Sequence, residues 1–191
     1  MSWKITDAAH NAIQNVIRPG DCAIDATVGN GQDTLFLAKL VGESGQVFGF
    51  DIQKLAVEKT RNLLDECGLS NRVDLYLAGH ETFDQQIPES VRGAIGAIMF
   101  NLGYLPAAED VSITTIPENT LAALEIGKDY LRPGGLITIV MYTGHPGGKE
   151  EADAVRSWAA SLDPKKYQSI EHRNLNQENN PPQLLVVSRG S

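Results

Sequence analysis

The sequence is short of positive charge: 16 lysines and arginines face 24 aspartates and glutamates, a net charge of −8 over 191 residues. A chain of that sign has no global field with which to gather nucleic acid, so any RNA contact needs a local basic patch. Cysteine is scarce as well. Cys22 and Cys67 lie in apolar contexts without CxxC spacing, which excludes a disulfide scaffold and fits buried thiols in a reducing compartment. Neither HExxH nor a cysteine pair accompanies the four scattered histidines, so the expectation is no metal. The chain has no GxSxG turn to present a hydrolase serine. No apolar run approaches membrane-spanning length, and the opening "MSWKITDAAHN" lacks a basic-then-apolar signal pattern. Those absences predict a cytoplasmic protein with no membrane association.

What is present is alternation. Short runs apolar on both faces occur at 22–28, 46–52, 73–79, 96–102 and 136–142, as in a parallel sheet covered by helices. Between them, helical spacing predicts helices over 33–41, 53–67 and 117–131. An N-terminal helix over 7–17 is expected to open on Thr6-Asp7 as its cap and to stop at "RPG". Another helix over 149–161 places Ala152, Val155, Trp158 and Ala159 on one core-facing side. The tail differs: "YQSIEHRNL" (167–175) alternates, "NQENNPP" turns, and "QLLVVSR" (183–189) is apolar. Two strands joined by a polar turn make a hairpin whose last strand runs against the parallel set. The expected fold is therefore α/β: a doubly wound, mostly parallel, seven-stranded sheet with an antiparallel C-terminal hairpin strand. No repeat or linker divides the chain, so 1–191 reads as one domain. Its hairpin edge offers a route to a homodimer.

In such a sheet, ligands sit beyond the carboxyl ends of the strands, where the winding reverses. The first of these ends is "IDATVGNGQDT" (24–34). It is not a P-loop, because Gln32-Asp33 stands where Lys-Ser/Thr is needed. Nor is it the dinucleotide fingerprint, whose third glycine is replaced by Thr34. Asp25 and Asp33 bracket the loop and would repel a pyrophosphate. Asp51 ends the second run twenty residues after Gly31, and Gln53 follows it. A carboxylate there is placed to accept both hydroxyls of an unphosphorylated ribose. Gly29 and Gly31 would let the backbone approach a nucleoside. Asp25 and Asp33 suit an ammonium or a sulfonium. Ribose, cation and no phosphate describe S-adenosyl-L-methionine, with S-adenosyl-L-homocysteine as product, better than NAD or ATP. The other strand ends add Thr27, Asn30, His80 and Glu81, then Asn101 and Tyr104, then Tyr142 and His145. The competing reading of each is plain: a tight turn for the glycines, a helix cap for Asp51, a half-buried aromatic for Tyr104, a polar loop residue for His145. His10 and His172 receive no role.

"AIDATVGNGQDT", "VFGFDIQ", "GLSNRVDLYLAGHE" and "LRPGGLITIVMY" resemble the successive motifs of class I S-adenosylmethionine-dependent methyltransferases. More narrowly, "DATVGNGQDT" with "NLGYLP" (101–106) and "SITT" (112–115) is similar to the MnmM (YtqB) family, long labelled rRNA methylases. The match runs from Trp3 to the final strand. The resemblance implies a Rossmann-like fold and methylation of the 5-aminomethyl group of a wobble (2-thio)uridine in the tRNA anticodon stem-loop. It implies cofactor contacts at Asn30, Gly31, Asp51, Gln53 and His80, and a substrate-side motif at Asn101 and Tyr104. After Pro106 the chain departs from the family with "AAEDV" (107–111), which bears on local RNA contacts.

Methylating an amine needs acceptors that orient its N–H bonds and leave its lone pair free. The Asn101 side-chain carbonyl and the Leu102 backbone carbonyl suit that task. They parallel the Asp/Asn-Pro-Pro-Tyr loops of amino-group methyltransferases, although "NLGY" lacks the prolines. Tyr104 is a candidate to stack on a base. Lys128, Arg132, Lys149, Arg156, Lys165, Lys166 and Arg173 form a candidate RNA-facing patch, or a set of solvated charges. Three readings stay open: a tRNA (or other RNA) methyltransferase, a small-molecule amine methyltransferase, and a non-catalytic nucleotide-binding module.

Overall fold

The computed structural model describes residues 4–103 and 114–190. In chain order the elements are α1 (Ile5–Gln14), β1 (Cys22–Asp25), α2 (Gln32–Val41), β2 (Gln46–Asp51), α3 (Lys54–Glu66), β3 (Val73–Leu77), α4 (Phe83–Gln86), β4 (Ile95–Leu102), α5 (Pro117–Tyr130), β5 (Leu131–Met141), α6 (Gly148–Ser161), β6 (Tyr167–His172) and β7 (Gln183–Arg189). One sheet takes all seven strands in the order β3-β2-β1-β4-β5-β7-β6. β1 pairs in parallel with both β2 and β4, so the chain winds one way through β3 and the other way from β4 onward. β7 alone runs against the set, antiparallel to both β5 and β6. The anticipated doubly wound sheet is the observed one.

The all-apolar strands are explained by two cores, one on each face. On one side Ile98, Phe100 and Leu102 of β4 join Leu124 of α5 and Trp158 of α6. On the other, Ala97 and Met99 of the same strand meet Ile13 of α1 and Leu37 of α2. Alternate residues of β4 are thus buried in opposite directions, which polar-out patterning would forbid. Each fully buried Ile, Leu or Phe contributes about 1.5–3 kcal/mol relative to its exposed state.

Three local expectations are corrected. α1 starts at Ile5 rather than at residue 7, because the Lys4 carbonyl already accepts the N–H groups of Asp7 and Ala8 at 3.1 and 3.3 Å. Thr6 therefore lies inside the first turn, and no side chain caps the helix. β1 ends at Asp25 rather than at 28, as the chain turns toward the cavity described below. Leu131 opens β5 instead of closing α5, and "RPGG" lies within the strand. A Cβ on Gly135 would stand 3.0 Å from the carbonyl oxygens of Arg132, Gly96 and Ile95, which accounts for glycine there. Unanticipated was α4, whose four residues are too few to show a period; it buries Phe83 in the first core.

Candidate active site

The carboxyl ends of β1, β2, β3, β4 and β5 surround a cavity of about 700 Å³. Sequence reasoning named twelve residues that line it: Thr27, Gly29, Asn30, Asp33, Asp51, Gln53, His80, Glu81, Asn101, Leu102, Tyr142 and His145. Three others named with them do not reach it. Asp25 is 1 % exposed beneath the floor, where one carboxylate oxygen accepts the Thr34 hydroxyl at 2.5 Å and the other the Thr27 N–H at 3.2 Å. Thr34 is wholly buried. Gly31 begins α2 at φ +77°, and a Cβ there would lie 2.5 Å from Thr60 Oγ1 on α3. Its glycine therefore serves the left-handed turn and the packing of two helices. Tyr104, with the rest of "YLP", "AAEDV" and the first two residues of "SITT", lies outside the described residues.

Asp51 is held at both oxygens. Oδ2 accepts the Gly29 N–H at 2.9 Å and Oδ1 the Gln53 N–H at 2.8 Å, so one carboxylate ties the first loop to the start of α3. Burial pushes its pKa up, against the pull of those two N–H donors. Each oxygen retains a lone pair for a hydroxyl. Asp25 is raised further, to about 7, by complete burial and then by the nearby charge of Asp33. His80 is 8 % exposed at the end of β3; its Nδ1–H donates to the Ala26 carbonyl at 3.2 Å. Burial lowers its pKa, so the ring is neutral at pH 7 and Nε2 carries a lone pair. That nitrogen has no hydrogen-bond partner among the described residues, although it is buried. A buried acceptor left open beside a cavity fits an incoming N–H.

The β4 side is built differently. The Asn101 backbone N–H donates to Thr27 Oγ1 at 2.7 Å, and its side-chain Nδ2 lies 3.4 Å from Asp33 Oδ2. Gly103 exchanges bonds with Thr115: its N–H reaches Thr115 Oγ1 at 3.0 Å, and its carbonyl accepts the Thr115 N–H at 3.1 Å. The Thr115 hydroxyl donates in turn to Glu151 at 2.7 Å, and Thr120 donates to the other oxygen of the same carboxylate at 2.7 Å. Glu151 is 2 % exposed, so a buried acid on α6 anchors the end of β4.

Several lining residues had been given no site role from the sequence: Thr6, read as a helix cap, and His10, given none, on α1, then Thr114 and Thr115, Asn119, and Asn180 of the last turn. "SITT" flagged the threonines without their partners, whereas nothing local to His10 marks it. Among the described residues no lysine or arginine lines the cavity. Four members of the candidate basic patch are engaged elsewhere: Lys128 by Glu125, Arg132 by Asp21, Lys149 by Asp153, and Arg156 by Asp153 and Glu171. No group of three or more potential metal ligands occurs among the described residues, and none of their helices is long and apolar enough to cross a membrane.

This floor fits S-adenosylmethionine in its chemistry. A carboxylate ends β2, an open acceptor ends β3, the described lining carries acids but no lysine or arginine, and Asn30 and Gln53 offer polar groups at its edge. Known proteins agree. A family model described as "Putative rRNA methylase" matches residues 47–188. The chloroplastic tRNA (mnm(5)s(2)U34)-methyltransferase of Arabidopsis thaliana is 39% identical over 97% of this chain and 70% of its own. A crystal structure from Clostridium thermocellum carrying the same rRNA-methylase description superposes with a TM-score of 0.93, at 41% identity over 99% of both chains. A "putative methyltransferase" of Streptococcus mutans, solved in complex with SAH, gives 0.87 at 35% identity, again over 99% of both. The chain belongs to this rRNA-methylase family of class I S-adenosylmethionine-dependent methyltransferases.

Proposed function

We propose that the chain, acting as one catalytic unit, transfers a methyl group to the 5-aminomethyl nitrogen of a wobble uridine, with or without 2-thio substitution, in the anticodon stem-loop of tRNA. The observation that carries this reading is an uncharged amide, Asn101, sharing one cavity with Asp51 and with no cationic side chain beside it among the described residues. An amine nucleophile must be neutral to attack, and acids without lysines can position its N–H bonds. The acceptor itself is supported by the printed activity of the Arabidopsis relative, which aligns along nearly the whole chain.

When bound, S-adenosylmethionine supplies an electrophilic methyl group on a sulfonium. Asp51 would accept the ribose hydroxyls, and His80 Nε2 an exocyclic N–H. Asn30 and Gln53 complete the pocket edge, and Asp25 and Asp33 would hold the positive charge from below and beside it. On the other side, Asn101 Oδ1 and the Leu102 carbonyl accept N–H bonds of the substrate amine, which aims its lone pair at the donor. Tyr142 and His145, which line the cavity after β5, would meet the nucleoside. In the sequence Tyr104 belongs to the same motif as Asn101, and the proposal assigns it a stacking contact.

The test is tRNA from cells lacking the activity, incubated with the protein and donor, digested to nucleosides and weighed. The expected product is 5-aminomethyl-(2-thio)uridine heavier by one methylene. Methyl transfer to rRNA or to a metabolite pool, with tRNA untouched, would overturn the acceptor. A small-molecule amine remains the second reading, favoured by the net charge of −8. The tRNA reading places the protein in the cytoplasm. The exposed outer strand β6 supports pairing of two copies, which sedimentation would register.

A further inference from the structure

We infer that His10, acting through Asp33, fixes the side-chain amide of Asn101 with its oxygen turned to the acceptor amine, which makes His10 a positioning residue for methyl transfer. The inference rests on the proposed role of Asn101. α1 is anchored to the sheet by Ile5, Ala9 and Ile13, and carries His10 on its cavity side, one turn from Thr6. The imidazole stacks on Phe36 with ring centres 3.9 Å apart and planes 7° from parallel, which locks its plane. Its Nε2 lies 2.6 Å from Asp33 Oδ1, so Nε2 carries the proton and donates it to the carboxylate. The other oxygen of Asp33 faces Asn101 Nδ2 at 3.4 Å. No lysine or arginine among the described residues pairs with Asp33.

The chain of contacts matters because an amide has two unlike ends. Were Asn101 flipped, its oxygen would face a carboxylate oxygen across the same gap, and like partial charges would repel. The flipped amide would also turn N–H groups toward the substrate amine and bind the lone pair that must attack. Asp33 therefore selects the productive orientation, and His10 holds Asp33 against the repulsion of Asp25 beneath it. Nothing in the contact requires His10 to touch donor or acceptor.

The test compares His10→Ala, His10→Gln, Asn101→Ala and the double variant His10→Ala/Asn101→Ala. His10→Ala is expected to lower kcat by about ten- to hundredfold while the donor dissociation constant by calorimetry changes less than about threefold. His10→Gln, whose amide N–H can reach Asp33, should recover most of the turnover, and the double variant should be no slower than Asn101→Ala. A second readout needs no acceptor: the Asn101 side-chain amide resonances of the isotope-labelled protein, identified by their loss in Asn101→Ala, should move in His10→Ala and return toward wild type in His10→Gln. Unmoved resonances, full turnover of His10→Ala beside an impaired Asn101→Ala, or equal losses in kcat and donor affinity would overturn the role of His10 alone. Full turnover of Asn101→Ala would instead overturn the acceptor assignment beneath it.

Discussion

The two halves of the cavity are held by different kinds of contact. On the donor side most bonds are local: Asp25 takes Thr27, two positions away, and Thr34, nine away; Asp51 takes Gln53, two away, and Gly29, twenty-two away; His80, 54 positions from Ala26, is the exception. On the acceptor side Asn101 depends on Thr27 and Asp33, 74 and 68 positions away, and Thr115 on Glu151, 36 positions away. Turn chemistry builds the first half almost within one β-α-β unit. The second half is complete only when α1, β4, α5 and α6 have all docked. A ligand that binds with high occupancy benefits from the first arrangement, whereas an acceptor that must arrive, react and leave is served by groups aligned through tertiary contacts.

Substitutions on the two sides should therefore separate binding from turnover. Asp51→Ala is expected to have the largest effect. It removes the two proposed charge-assisted bonds to the ribose, together about 3 kcal/mol, or a loss of donor affinity on the order of a hundredfold, and it leaves the Gly29 and Gln53 N–H groups without their acceptor. Calorimetry should show it, with turnover at saturating donor much less affected. Unchanged affinity in a folded Asp51→Ala would remove the ribose contact and with it the division into halves. Asn101→Ala should show the converse, with turnover down by roughly a hundredfold and donor affinity close to wild type. Steady-state kinetics with donor and acceptor varied in turn distinguishes the two patterns.

Glu151 probes the acceptor side from behind. Replacing it with alanine strands the buried Thr120 hydroxyl and the half-buried Thr115 hydroxyl, at a cost of about 2 kcal/mol in stability. For a chain of this size that lowers the melting midpoint by about 4–8 °C. Glu151→Gln, which keeps one acceptor oxygen, should lose less than half as much. Turnover should fall in Glu151→Ala because Gly103 loses a fixed Thr115, while donor affinity is unchanged. A variant that melts lower yet turns over at the wild-type rate would show that the anchored end of β4 is scaffold and not site.

The same contrast explains what the sequence disclosed. Asp51, Gly29 and Gln53 were legible because a glycine loop, a strand and an acid at fixed spacing imply one another through local geometry. Asn101 and Tyr142 were legible as strand ends, since both follow apolar runs whose carboxyl termini must share an edge. His10 was not. On a helix face it has the spacing of any half-exposed residue, and only the docking of α1 onto α2 brings it to Asp33. Glu151 sits in "KEE", which reads as a charged first turn, yet Thr120 of α5 and Thr115 of the segment before it bring it their hydroxyls. Gly31 was legible as necessary but not for its reason, because the clash it avoids is with Thr60, which no local pattern links to it. Proximity across elements, and not residue chemistry, is what the linear pattern withheld.

The smallest expected effect on donor affinity is a pH dependence, and it follows from Asp25. Its pKa of about 7 lies above the ordinary 3.8 because burial, followed by the charge of Asp33, penalises the carboxylate. The folded protein therefore holds a proton that the unfolded chain has released, so stability falls as pH rises from about 4 to about 7, by a total of ~4 kcal/mol. Asp25→Asn, which keeps the shape and the acceptor for the Thr27 N–H, should flatten that slope in denaturant melts. Binding a cationic donor has the opposite sign, because it favours the ionised acid. If the donor lowers the Asp25 pKa by one unit, affinity should rise about fivefold between pH 6 and pH 8, with proton release on binding, and Asp25→Asn should abolish both. The acceptor side makes no such demand on Asp25, so turnover at saturating donor should not follow the same curve. A wild-type affinity that stays flat across this range would mean that the acid beneath the loop never faces the donor's charge, and that its burial serves only Thr34 and the turn.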